Sequence, residues 1–182
     1  MAQNPLTAAL GIPIPSDDPV FLAIVGVHVA FGLVAVIAGA GAMLSKKVRG
    51  RHSRFGSIYF WSLAGVFGTM SALSFMRWAE NQHLFILGAL SFGAACFGRL
   101  AARRHPRRWP GLHLWGMGTS YILMLTAFYV DNGPNLPLWK ALPPIAFWLL
   151  PGMIGVPLIA YVWYRHPLVR AAEERSSPRP GL

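Results

Sequence analysis

VFLAIVGVHVAFGLVAVIAGAGAML, residues 20–44, decides the fold. It holds no aspartate, glutamate, lysine or arginine. A helix needs about 20 apolar residues to cross the ~30 Å hydrocarbon core of a bilayer. The stretch exceeds that, and its apolar run is continuous rather than alternating, which excludes a β-barrel strand. Asp18 followed by Pro19 reads as an N-cap with proline at the first helical position. The ionisable residue inside is His28, about nine residues in and so on the order of 13 Å deep. An imidazole at that depth is costly and marks a functional candidate. Gly32, Ala35 and Gly39 follow on its face at i+4, i+7 and i+11. Small residues there leave room for a flat macrocycle. They equally suit a neutral histidine bonded to a neighbouring helix across a close contact.

The rest of the chain repeats this pattern. A basic loop, KKVRGRHSR (46–54), leads to a second crossing over 55–76. The turn RWAENQ (77–82) leads to a third over 83–102. RRHPRRWPG (103–111), where Pro106 and Pro110 forbid continuous helix, precedes a fourth over 112–130. DNGPNLP (131–137) is rich in turn formers. A fifth crossing spans 145–164 and carries Pro151 and Pro157, which kink it. The expected fold is an all-α integral membrane protein of five helices, a four-helix core plus the Pro-kinked fifth. Residues 1–18 read as an irregular extracytoplasmic tail, 19–164 as a single transmembrane domain and 165–182 as a polar tail, disordered at its end. The first twenty residues lack a basic n-region, so no secretory signal is expected there.

Composition agrees: 54% of the 182 residues are hydrophobic and 12% charged, against about 25% charged in soluble domains. The formal charge of +10 is distributed by side. The loop after the first crossing holds Lys46, Lys47, Arg49, Arg51 and Arg54. Arg99, Arg103, Arg104, Arg107 and Arg108 flank the third turn, and Arg165, Arg170, Arg175 and Arg179 lie in the tail. The other face has Arg77 and Lys140. Fourteen against two predicts an outside N-terminus and a cytoplasmic C-terminus. That distribution explains the basic charge without nucleic acid, and the basic loops attract lipid headgroups. Trp78 and Trp139 fall at the outer boundary and Trp109, Trp115 and Trp163 at the inner one, as interfacial belts require. Cys96, the one cysteine, excludes an intrachain disulfide.

Four histidines fall at intervals of 24, 31 and 30 residues: His28, His52, His83 and His113. Each lies in or at the end of a different crossing, so they alternate between faces. Neutral imidazole is a good ligand for haem iron, and two from facing helices make one site. His52 and His113 lie at matched depth on the inner side. Met117, Ser120 and Met124 continue the face of His113. His83 opens the third crossing at the outer boundary, shallower than His28. His105 and His166, in basic proline-containing segments, read as solvated. The crossings contain no carboxylate, which argues against a carboxylate proton relay. No catalytic residue is assigned.

VHVAFGLVAVIAGA around His28, GRHSRFGSIYFWS around His52, QHLFILGALSF around His83 and LHLWGMGTSYILM around His113 resemble an uncharacterised group of small bacterial polytopic membrane proteins of unknown function. The resemblance covers roughly residues 20–130 and implies a bacterial inner (cytoplasmic) membrane. The histidine order is also similar to that of the transmembrane two-haem b-type cytochromes. There, four consecutive helices each give one histidine, the first pairing with the third and the second with the fourth. That resemblance implies axial pairs His28–His83 and His52–His113. The first reading of the chain is thus a membrane protein with one or two haems b that passes electrons across or along the membrane, to or from a quinone. The other reading of the chain is a cofactor-free accessory subunit, packed with the other subunits of a respiratory or photosynthetic membrane complex.

Overall fold

The structure, a computed structural model, describes residues 18–46, 50–137 and 139–176. Residues 1–17 of the expected N-terminal tail, Lys47 and Arg49 of the first basic loop, Leu138, and Arg179 with the end of the C-terminal tail lie outside the described residues. Among the described residues there are six α-helices, one 3-10 turn at Gly133–Asn135, and no strand. The helices are α1 (Pro19–Leu44), α2 (Arg51–Met76), α3 (Trp78–Arg104), α4 (Trp109–Asn132), α5 (Pro144–Arg165) and α6 (Pro167–Ser176). They form two compact units, one of residues up to Phe85 with 135–140, the other of Ile86–Pro134 and 141 onward.

In the first unit α1 and α2 are an antiparallel hairpin. Asp18 caps α1 by accepting the Val20 N–H at 2.9 Å. At the other end Ser45 donates both its N–H and its hydroxyl to the Gly41 carbonyl. Gly50 has φ 126°, a backbone that side chains resist, and α2 starts on the next residue. The register is read from the paired contacts: His28 with Thr69, Phe31 with Gly65, Gly41 with Phe55, Ala42 with His52. As one number rises the other falls by nearly as much. Ala35 and Ala38 are buried in the seam with Tyr59 and Leu63. A Cβ on Gly65 would stand 2.7 Å from the Phe31 ring, so glycine is what lets that ring lie on the α2 backbone.

Two helices begin four or more residues earlier than their apolar runs suggest. α2 starts at Arg51 rather than 55, so His52 sits in a helical first turn and not in a loop. α3 starts at Trp78 rather than 83, because RWAENQ breaks the helix only at Arg77. Polar residues at a helix end cost nothing when water or a neighbour solvates them, and hydropathy alone does not mark that turn. The described part of the polar tail is helical. Residues 167–176 form α6, which packs on α4 and α5 with Val169 and Ala172 buried.

In the second unit α3, α4 and α5 run antiparallel in sequence. α4 is the middle helix and meets both neighbours through glycine. On the α3 side, a Cβ on Gly116 would lie 2.6 Å from the Gly98 Cα. Ser91 donates to the Ser120 carbonyl at 2.8 Å, both residues fully buried. On the α5 side, Gly111 receives the Trp163 ring, Gly118 receives Ile159, and Gly155 receives Ile122. Small residues at helix crossings let backbones approach where lipid gives no hydrophobic drive.

Four helices, α1, α2, α3 and α5, are long and apolar enough to cross a membrane. This is the pattern of a multi-pass membrane protein. α4 is not among the four. It is as long as they are, but its packed faces carry Gly111, Gly116, Ser120 and Thr126, all buried.

Candidate cofactor-binding histidines

All four candidate histidines are half-buried, and three have a definite partner at Nδ1. His28, on α1, meets the Thr69 hydroxyl of α2 at 2.9 Å. That hydroxyl lies 2.8 Å from the Gly65 carbonyl and 3.0 Å from the Val66 carbonyl of its own helix. It has one proton and donates it to a carbonyl, so it accepts from His28. The His28 Nδ1 therefore carries the ring proton, and the lone pair is on Nε2.

His52 and His113 resolve the same way without ambiguity, since a carbonyl only accepts. The His52 Nδ1–H donates to the Ala42 carbonyl at 2.9 Å. The His113 Nδ1–H donates to the Gly98 carbonyl at 2.9 Å. Ala42 is among the last residues of α1, where carbonyls have no helical partner, so His52 also closes the end of that helix. All three imidazoles thus share one tautomer, with Nε2 as the basic nitrogen. A histidine that ligates a metal is held in this way, by donating its other N–H to an oxygen. His166 is the contrast. Its Nδ1 accepts the Leu168 N–H at 3.3 Å and caps α6, and His105 is exposed beside Trp109.

His83 is placed by register. Near the α2–α3 break, Asn81 donates to the Leu73 carbonyl at 3.4 Å. Further along, the Phe85 and Phe67 rings meet at 5.9 Å. Between those rungs His83 stands within about one helical turn of the level of Thr69, and so of His28. The depth difference that separates them in the sequence disappears because α3 begins five residues before His83. His28 and His83 are both in the first unit, whereas His52 is in the first and His113 in the second.

The surroundings of the histidines differ. Gly32, one turn beyond His28, has no atom within 4 Å of where a Cβ would stand, and neither does Gly68 beside Thr69. The face of His113 is occupied instead. A Cβ on Gly98 would lie 2.8 Å from the Met117 nitrogen, and Ser120 is sealed against Ser91. The Met117–Ser120 face is therefore filled, and on the His28 face Ala35 and Gly39 are buried while Gly68 is at the surface, so beyond Gly32 the small residues expected to leave room for a macrocycle are packed. Among the described residues no group of three or more His, Cys, Asp or Glu is arranged to hold a metal ion. Haem asks for two axial ligands and leaves that count untouched.

Thr69 has no mark in the sequence beyond being a polar residue in an apolar helix. Its role follows only once the hairpin register sets it opposite His28. Comparison of the chain with family models, with curated proteins and with solved structures returned no match.

Proposed function

We propose that this chain is a b-type haem-binding membrane protein that passes electrons across or along the membrane, to or from a quinone. One observation carries the reading: His28, deep in an apolar helix, is held by Thr69 with Nε2 as its basic nitrogen and stands level with His83. His28 and His83 would hold one haem, and His52 and His113 are the other two candidate ligands. The haem supplies one-electron chemistry when bound. The chain supplies axial nitrogens, fixes their orientation through Thr69, Ala42 and Gly98, and surrounds them with a dry, low-dielectric scaffold. Purified protein is expected to show a reduced-minus-oxidised α-band and to release haem b on acid extraction. A preparation of folded protein with no α-band and no extractable haem would sink the proposal.

The membrane arrangement that accompanies it is five crossings in a bacterial inner membrane, with the C-terminus cytoplasmic. α4, fourth in chain order, is the crossing added to the other four. At 1.5 Å per residue it is about 36 Å long, enough to span. The fourteen-to-two charge count supports this orientation. A C-terminal reporter active only in the cytoplasm should report, and one active only outside should be silent. The reverse pattern would remove the topology.

One observation favours the second reading, a cofactor-free accessory subunit of a respiratory or photosynthetic complex. Each of the three Nδ1 contacts already ties one helix to another, so the histidines have structural work without a ligand. Co-migration with a larger complex and no intrinsic chromophore would select this reading over haem.

A further inference from the structure

The turn between α3 and α4 concentrates charge in a way neither reading uses. Residues 103–108 are all exposed, and four of the six are arginine: Arg103, Arg104, Arg107 and Arg108. No aspartate or glutamate occurs between Glu80 and Asp131. The other acids of that unit, Glu173 and Glu174, are on α6, which packs on α4 and α5. The turn is built tightly. His105 adopts a left-handed backbone, φ 46°, and its N–H donates to the Ala101 carbonyl at 3.1 Å. The Trp109 N–H donates to the Pro106 carbonyl at 2.8 Å. One arginine pair thus ends α3 and the other precedes α4, two residues apart. Half-buried Trp109 lies beside them, its ring 5.0 Å from His105 and 6.5 Å from His113.

We propose that this turn is a binding site for the phosphate headgroup of anionic phospholipids. Its place at the end of a membrane-crossing helix puts it at headgroup level. Arginine forks bond phosphate oxygens in pairs, which a lysine point charge does not. All five basic residues of 99–108 are arginine. An indole next to the cluster suits the interface between headgroup and acyl chain. A diffuse attraction of basic loops for acidic lipid needs only charge. A site needs arginine at these positions, and that difference is testable.

The test is lipid retention. Full-length protein is purified from an equal mixture of phosphatidylglycerol and phosphatidylcholine, and the lipids carried through are counted by native mass spectrometry. The wild type is expected to retain phosphatidylglycerol preferentially. Arg103, Arg104, Arg107 and Arg108 all changed to lysine keep the charge, and so keep the topology. This variant should lose about fivefold of that preference. Arg170→Gln with Arg175→Gln, which removes two charges from α6, should leave it in place. Full preference in the lysine variant, or an equal loss in the α6 variant, would reduce the site to general charge and overturn it. Displacement of the lipid by millimolar inorganic phosphate would also overturn it, because the ligand would then be the free anion. Helix content by circular dichroism, unchanged across the set, shows that each variant is folded.

Discussion

Gly116→Ala is expected to destabilise the second unit by about 1–3 kcal/mol, and Gly116→Leu to prevent its assembly. The added Cβ would stand 2.6 Å from the Gly98 Cα, 2.7 Å from its nitrogen and 2.9 Å from the Ala94 carbonyl oxygen. All three are backbone atoms of α3, so no side chain can turn aside. The helices must separate, and the buried Ser91–Ser120 bond 2.8 Å long sits on the same seam. Gly118→Ala is the instructive neighbour. There the new Cβ meets the far end of Ile159, which has other rotamers, so the loss should be smaller. Gly93→Ala, with nothing within 4 Å, should be neutral or gain up to about 1 kcal/mol of helix propensity. Unfolding in mild detergent, followed by circular dichroism, ranks the three. Equal stability of the Gly116 and Gly93 variants would mean that α3 and α4 do not cross this closely.

The second large effect concerns His28 and Thr69, and its sign depends on the cofactor. In a haem-loaded protein His28→Leu removes an axial ligand and with it the haem at that level. The α-band should fall by about half where both sites are filled. Thr69→Val keeps the ligand and frees the ring to turn. Loss of such an outer partner typically weakens metal affinity about 10–100-fold. In a cofactor-free protein the order reverses. His28→Leu leaves the Thr69 hydroxyl satisfied by Gly65 and Val66 on its own helix, so the loss is near zero. Thr69→Val takes the acceptor from the Nδ1–H and costs about 1–3 kcal/mol, nearer the low end for membrane helices. Haem content and unfolding midpoint, measured on both variants, separate the cases. A His28→Leu protein with undiminished haem would remove His28 from any ligand role.

Much of the fold is legible because lipid imposes long uncharged runs. Residues 20–44 differ from α1 by one residue at its start. Legibility fails where a helix is solvated. The first turns of α2 and α3 are polar, so apolar runs start late there, and that delay made His83 look shallower than His28. α4 is legible as a helix over 112–130, although by hydropathy it is less apolar than the other four long helices, because Gly111, Gly116, Ser120 and Thr126 are buried against its neighbours. α6 hides in a tail of mixed charge, since two buried residues, Val169 and Ala172, are too few to mark it. The histidines themselves stand out as ionisable groups in apolar surroundings. Their tautomers do not, because these depend on Thr69, Ala42 and Gly98, which come opposite only through register.

That register has an electrical consequence. On the α1–α2 hairpin, His28 and the carbonyl that holds His52 are fourteen residues apart along α1. At 1.5 Å per residue this is about 21 Å, roughly two-thirds of the ~30 Å hydrocarbon core. A full membrane crossing by one elementary charge is worth about 2.3 kcal/mol per 100 mV. If both levels carry redox centres, an electron passing between them works against about two-thirds of the membrane potential, near 1.5 kcal/mol per 100 mV. Turnover in sealed vesicles would then be voltage-dependent, fastest when the field assists the transfer. The hairpin would act as a short segment of circuit, with its resistance set by protein and its load by the membrane.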